Sequence, residues 1–498
     1  MRALAACLVD PAYYVAHYAD VARAGIDPVC HFAQNWHRSP IRSPSARAEP
    51  WIFVLSPVAA LVLSLAGRDR ADVLDCLRKR INDLSGEGRG LRLWFCLAVA
   101  RLVARRTTRP AVAAGLGKRQ PVVRVDTRRP DWIRLTPVAE AADFTFSDPL
   151  ILLSDEPAVS RRITRPALWC AAIPDATVFG AAEVSARNTF VVHEPAADPA
   201  LGYASRQCNF VTPCFPKRSQ TVLARIPTVA ARCLDQAVLL GGRGGENYFH
   251  FLIEYLTKGY IIEKLSELDG IPLLVSAELH PQEREALARV LPERPIVPRP
   301  TGARFDVSTL HVPSVMSFVP DDPSVPFWQA SAVNGASLRW LRERVLAGCT
   351  PARDRADRIY LARTGARNIV NAEEVAAVFR RHGFTVIEPG RLSFAEQVET
   401  FQSATYIAGP VGAALSNLVF ATPGSRVMGI ISPFTVRFSM YASLARFAGC
   451  TYFAHPGVRS DYRPGLEDRR AALAVTHGSF HVDVTHLERA LRAFLEKP

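Results

Sequence analysis

Arg358-Ile-Tyr-Leu-Ala-Arg363, Asn371-Ala-Glu-Glu374, Phe384-Thr-Val-Ile-Glu388, Ser393-Phe-Ala-Glu396, Ala404-Thr-Tyr-Ile-Ala408, Gly409-Pro-Val-Gly412-Ala-Ala414 and Arg426-Val-Met-Gly-Ile-Ile431 succeed one another between positions 358 and 431. The apolar runs have strand length, and helix-length segments separate them. Asn371 with Glu374 reads as a helix start, since each side chain can satisfy an orphan backbone amide. His382-Gly383 reads as that helix's end, glycine suiting the left-handed cap. Ser393 to Glu396 forms a capping box for the next helix. Strands alternating with helices in this way predict a parallel sheet, with ligands at the carboxyl ends of its strands. Arg363, Arg367 and the small-residue loop from Gly409 to Ala414 fall at those ends. Bare amides at a helix start and arginine forks suit a phosphate-bearing ligand.

Upstream, short strands such as Thr189-Phe-Val-Val-His193 and Ala237-Val-Leu-Leu-Gly241 alternate with turns and helices, so residues 131 to 330 also read as α/β. Gly241-Gly-Arg243-Gly-Gly245 lies between a strand and the helix that begins near Asn247. It reads either as a loop admitting a phosphate or sugar to the backbone, or as a flexible turn. On that helix Asn247, His250, Glu254 and Lys258 share one face, with Phe249, Leu252, Ile253 and Leu256 opposite. Such a narrow polar stripe is either a solvated face or one wall of a cleft, and periodicity alone favours solvent. Plainer readings stand beside the functional ones. Arg363 can pair with a structural carboxylate, Asn371 can cap a helix, Glu396 and Gln397 can open one, and Asn417 can bond locally.

The succession Arg358-x-Tyr-x-x-Arg363, Asn371-x-Glu373, Phe394-x-Glu-Gln397, Gly409-Pro-x-Gly-Ala-Ala-Leu-Ser-Asn417-Leu-Val-Phe420 and Pro423-Gly424 resembles glycosyltransferase family 61. Asn247-Tyr-Phe-His250-Phe-Leu-Ile-Glu254 resembles the family's other signature, and the likeness spans roughly residues 235 to 432. The family includes bacterial enzymes associated with capsular and surface polysaccharides. The resemblance implies an α/β chain in the GT-B arrangement, two Rossmann-like domains facing a cleft. The chain then divides into a small helical module at 1–49, a helical region and linker at 50–125, an acceptor-side domain at 126–330 and a nucleotide-sugar-binding domain at 331–498. Implied with it is inverting transfer of a sugar from a nucleotide-sugar to a surface polysaccharide or glycolipid. His250 is then the base, by its usual pKa of about 6.5, with Glu254 a second base or the group that orients it. Arg363, Arg367, Gly409, Gly412, Ala413, Ala414 and Asn417 would hold the donor's diphosphate, and Arg243, Asn247, Asn371, Glu396 and Gln397 would line the cleft. Two positions depart from the family pattern: Val411 stands where histidine is usual, and Ser416 where threonine is commoner. Valine cannot donate to a phosphate or move a proton. A catalytically inactive relative, acting as a glycan-binding or scaffolding subunit, is therefore the alternative.

The whole chain sets further bounds. Its 498 residues allow two or three domains, and 49% hydrophobic content excludes disorder. A net charge of +13 suggests an anionic partner, whether nucleic acid, an anionic membrane surface, or a phosphorylated or acidic sugar; the alternative is high-GC coding, which favours Arg and Ala regardless of function. Basic residues are dispersed and no nucleic-acid motif accompanies them, which leaves the membrane and substrate readings. The ten cysteines form no CxxC pair and read as buried, reduced thiols. With no secretory pattern at Met1 to Val9, the expected location is the cytoplasm, with peripheral attachment to the inner membrane as a variant. Trp51 to Gly67 carries no charge but falls short of the roughly 20 apolar residues of a spanning helix. It reads as a core helix or as a shallow membrane contact. No Asp-x-Asp occurs, so no metal and no cofactor is expected beyond the nucleotide-sugar itself.

Overall fold

A computed structural model describes residues 10–18, 21, 27–29, 31, 118–125, 129–154, 157–194, 210–213, 221–317, 331–347, 355–363, 369–463 and 478–496. The expected helices at 51–67 and beyond, and Arg367, lie outside the described residues. The chain forms two compact units. One comprises Met1–Val123, Asn188–Phe190 and Asp198–Ala230, the other Arg124–Arg187, Val191–Ala197 and Ala231–Pro498.

In the first unit, the helix Pro11–His17 starts where Asp10 accepts from the amides of Ala12 and Tyr13. Proline at the first helical position suits that start. Tyr14 is buried and its hydroxyl meets His31 Nδ1 at 3.1 Å, so this aromatic helix packs inward. Strand Lys118–Arg124 pairs antiparallel with Thr221–Ala224, which pairs in turn with Val211–Pro213.

Among its described residues the second unit holds two large sheets and a small two-stranded one, Ala142–Ser147 paired antiparallel with Ser160–Arg165. The first is built from β1 (Arg134–Ala139), β2 (Leu168–Phe179), β3 (Glu183–Ala186), β4 (Arg232–Leu240), β5 (Leu273–Ser276), β6 (Ile296–Arg299) and β7 (Arg304–Pro313). Strands β6, β5, β4 and β7 run parallel in that order, and β2 joins β7 antiparallel, carrying β3 and β1 on its other edge. This half is thus a mixed sheet. The tight turn between β2 and β3, with Gly180 at φ 59°, permits only a hairpin there, not a parallel crossover.

The second sheet matches the reading of residues 358 to 431. It contains β8 (Arg358–Leu361), β9 (Thr385–Ile387), β10 (Tyr406–Pro410), β11 (Arg426–Ile431) and β12 (Thr451–Pro456), ordered β9-β8-β10-β11-β12 and all parallel. Helices α1 (Pro281–Val290) and α2 (Gly335–Leu346) precede it. Helices α3 (Ala372–Arg381), α4 (Phe394–Ser403), α5 (Met440–Phe447) and α6 (Val484–Leu495) pack around it. Ile359, Leu361, Ile407 and Val427 point into one core; Tyr360, Ala408, Met428 and Ile430 point into another with α3 and α6. Burial on both faces explains why these strands read as unbroken apolar runs. The first of those cores continues through α4, α5, Phe249 and Leu256 to strands β4 and β5, taking in Val238, Leu240, Leu273 and Val275.

Two local expectations need correction. Gly409 and Pro410 are not loop residues but the last pair of β10, bonded across from Gly429 and Ile430. The physical reason is close approach: a Cβ at Gly409 would lie 2.8 Å from Leu361 Cβ and 2.9 Å from its carbonyl oxygen. Asn371 stands at the start of α3 but caps no amide of it. Its side chain instead accepts from Val482 N at 3.0 Å and donates to Val482 O at 2.9 Å. Val482 is fully buried, and an asparagine amide satisfies both of its backbone groups at once.

Candidate active site

The strand order β9-β8-β10-β11-β12 reverses direction between β8 and β10. In doubly wound sheets the crevice for ligands opens beyond the carboxyl ends of the two strands at that point. Arg363 lies two residues past the end of β8, half-buried, and its Nη1 donates to Val411 O at 3.3 Å, just past the end of β10. A Cβ on Gly412 would overlap Arg363 Nη1. Gly412 therefore leaves the room that the guanidinium occupies. Directly after it, the 3-10 helix Ala413–Phe420 begins, with Gly412 O accepting from Leu415 N. Arg363 and Gly412 thus lie side by side, and Ala413 and Ala414 follow Gly412 as the first residues of that helix. Val411 N bonds Ile430 O, continuing the ladder, and its side chain packs beside Gly429 and the core. What Val411 gives to Arg363 is its carbonyl, a group that any residue at this position possesses.

Asn417 has a different surrounding. It is fully buried; its Oδ1 accepts from Tyr248 Oη at 2.8 Å and its Nδ2 donates to Gln397 Oε1 at 2.7 Å. Gln397 Nε2 donates onward to Pro389 O at 3.0 Å. Burial pushes the Tyr248 phenol's pKa well up, so it stays a donor. This chain of buried hydrogen bonds ties the motif helix to the 3-10 helix that starts at Gly412. Glu396 is exposed and closes its own capping box with Ser393, whose amide holds the carboxyl below the usual carboxylate range. Asn247 is exposed and accepts from Phe249 N at 2.9 Å, an Asx turn that starts the motif helix.

That helix is irregular. His250–Tyr255 is a π-helix, in which Leu256 N bonds Phe251 O five residues back; Leu256–Lys258 is 3-10 and Gly259–Ile262 is α. His250 Nδ1 lies 2.7 Å from Glu254 Oε2. The imidazole is partly exposed and stands edge-on to Phe249, which packs on Tyr441 of α5. Below this pair the polar stripe is buried, not solvated: Glu254 is 5% exposed and Lys258 0%. Periodicity misjudged it because the stripe lies against the Gly241–Gly245 turn. Arg243 N donates to Glu194 Oε1 at 2.6 Å, and its guanidinium lies 3.5 Å from Glu183. Tyr255 Oη contacts Glu194 Oε2 and Arg243 O, while a Cβ on Gly242 would overlap both Glu194 and Tyr255. The glycine run is therefore a packed turn whose smallness admits a buried acid and a tyrosine. Arg243 belongs to that packing. Glu194 and Tyr255 were not foreseen, and Lys258 was read only as the end of the polar stripe; the visible signal for the first was the acid after strand Thr189–Val192.

These features define an α/β protein with an arginine set against a glycine turn at a topological switch point and a histidine–carboxylate pair on a nearby helix. Residues 248–428 match the family model Glycosyltransferase 61, about a third of the chain. That segment is a glycosyltransferase family 61 region, and it includes His250, Glu254, Arg363, Gly412 and Asn417. The family supports a transferase, with a nucleotide-sugar donor and a glycan acceptor in general. No curated protein matches the chain. Among the described residues, no helix is long and apolar enough to cross a membrane, and no group of His, Cys, Asp or Glu is arranged to hold a metal ion.

Proposed function

We propose that the protein is an inverting glycosyltransferase of GT-B type that moves a hexosyl or pentosyl unit from a nucleotide-sugar onto a surface polysaccharide or glycolipid. The observation that carries the reading is the meeting of Arg363 with Val411 and Gly412 at the switch point of the second sheet. The diphosphate would sit there, against the guanidinium and the amides of Gly412 to Ala414, which supply fixed positive charge as the leaving group departs. The acceptor would lie on the His250 side. His250, with Nδ1 held by Glu254, presents Nε2 to take the proton of the acceptor hydroxyl. Asn417 and Gln397 act by holding the two halves in register and not by touching donor. Arg363 and the amides make a divalent metal unnecessary in this scheme. A cytoplasmic site with access to the inner membrane fits an acceptor carried on lipid.

The test is a thermal-shift screen of nucleoside diphosphates and nucleotide-sugars. A hundredfold excess over the dissociation constant adds about 2.7 kcal/mol, which is a shift of several degrees. Stabilisation in wild type, lost in Arg363→Ala, supports the reading. If no nucleotide stabilises the wild-type protein, the scaffolding alternative prompted by Val411 takes its place.

A further inference from the structure

Lys258 is a fully buried amine that the transfer scheme does not use. Its Nζ donates to Gly241 O at 2.9 Å and sits 5.1 Å from the centre of the Tyr255 ring. Among the described residues no carboxylate lies within ion-pair distance of it, so one neutral carbonyl is its sole hydrogen-bond partner there. A buried ammonium so poorly compensated is expensive, and such sites are retained where the charge acts on a neighbour. Its titratable and charged neighbours among the described residues come from several elements. Glu254 lies four residues back on the same helix, with His250 four further. Glu194 and His193 follow the strand Thr189–Val192, and Arg243 on the glycine turn faces Glu183 of β3. Cys170 of β2 is another of these neighbours. Burial pushes the Lys258 amine down to about 8, with Glu194 and Glu254 pulling the other way.

We propose that Lys258 is a positioning residue for the His250–Glu254 pair: its ammonium offsets the pull of the Glu254 carboxylate on the imidazole, keeping His250 neutral and able to accept a proton, while its bond to Gly241 anchors the glycine turn to the motif helix. A neighbouring carboxylate favours the protonated imidazole and so lowers the share of His250 that is neutral and ready to accept a proton. A cation one step further along the same face reduces that tendency. The proposal rests on His250 being the base, but its test does not need transfer activity. As a general scale, a unit charge about 10 Å from a titrating group moves its midpoint by about one pH unit at an effective dielectric of about 20.

The experiment follows the imidazole resonances of full-length protein labelled at histidine, with His250 assigned through His250→Gln. In Lys258→Met the His250 midpoint should rise by about one unit; in Lys258→Arg, which keeps the charge, it should move far less. Wild type should also show a second, smaller inflection of the His250 signal near pH 8, as Lys258 loses its proton. An unchanged midpoint in folded Lys258→Met overturns the proposal. Should that variant not fold, a wild-type His250 signal flat from pH 7.5 to 9 overturns it equally. Because none of these readouts uses donor or acceptor, the transferase reading can fail while this one stands, and the reverse.

Discussion

Replacing Gly412 by alanine adds one methyl group where Arg363 Nη1 now lies. The obstructed atom is the tip of a long side chain, so the fold can yield by swinging the guanidinium away. Backbone strain is not at issue, since Gly412 is extended at φ 178° and ψ −174°. Stability should therefore change by less than about 1 kcal/mol. Donor binding should suffer far more. A charge-assisted hydrogen bond to a diphosphate oxygen contributes about 1.5–3 kcal/mol, so its loss weakens affinity roughly ten- to a hundredfold. Titration calorimetry with the best nucleoside diphosphate from the screen measures this directly, with a thermal melt alongside. Arg363→Ala should reproduce the loss, and the double variant should add little to either single one, because both act through the same guanidinium. Wild-type affinity in a folded Gly412→Ala protein would refute the placement of the diphosphate beside Arg363.

Tyr248→Phe leaves Asn417 Oδ1 buried without its donor and should lower stability by about 1–3 kcal/mol, measured by denaturant titration. If the loss is under half a kilocalorie, the bond does not join the two elements as described. Lys258 makes stability depend on pH. Its folded-state value of about 8 lies below the 10.5 of an exposed lysine, so the unfolded chain binds more protons between these limits and stability rises with pH. The stability of wild type relative to Lys258→Met should therefore rise by about 2–3 kcal/mol from pH 7 to pH 10; a constant difference contradicts the buried ammonium. Treatment with EDTA should leave transfer intact, and full loss restored by manganese or magnesium would show that a metal is required.

The parallel sheet was legible because each of its signals is local. Apolar runs, the Ser393–Glu396 capping box and Gly383 at φ 80° fix strands and helix ends within a few residues of chain. The first sheet was less so. The antiparallel attachment of β2 to β7 pairs residues more than a hundred positions apart, such as Cys170 with Pro313, and no short pattern encodes it. Within the site, the approach of Arg363 to the glycine loop could be foreseen because both follow strands that are neighbours in a doubly wound sheet. The work of Asn371 and Asn417 could not. An amide is equally suited to capping, to ligand and to buried backbone, and only the fold shows that Val482, Tyr248 and Gln397 are the partners. Periodicity alone misjudged the polar stripe for a related reason: it tells which residues share a face, but not that a glycine turn with Glu194 lies against it.

In the proposed mechanism His250 takes the acceptor proton while Arg363 and Gly412 hold the donor. The decisive assay is transfer of labelled sugar from a nucleotide-sugar panel onto membrane extract of the native host, by wild type and His250→Ala in parallel. Expected are turnover by wild type, a loss of about 10²–10⁴-fold in His250→Ala, and donor affinity within a factor of two or so of wild type in that variant. Equal turnover by the two proteins would contradict the assignment of His250 as the base, and transfer by neither would contradict the proposed function itself.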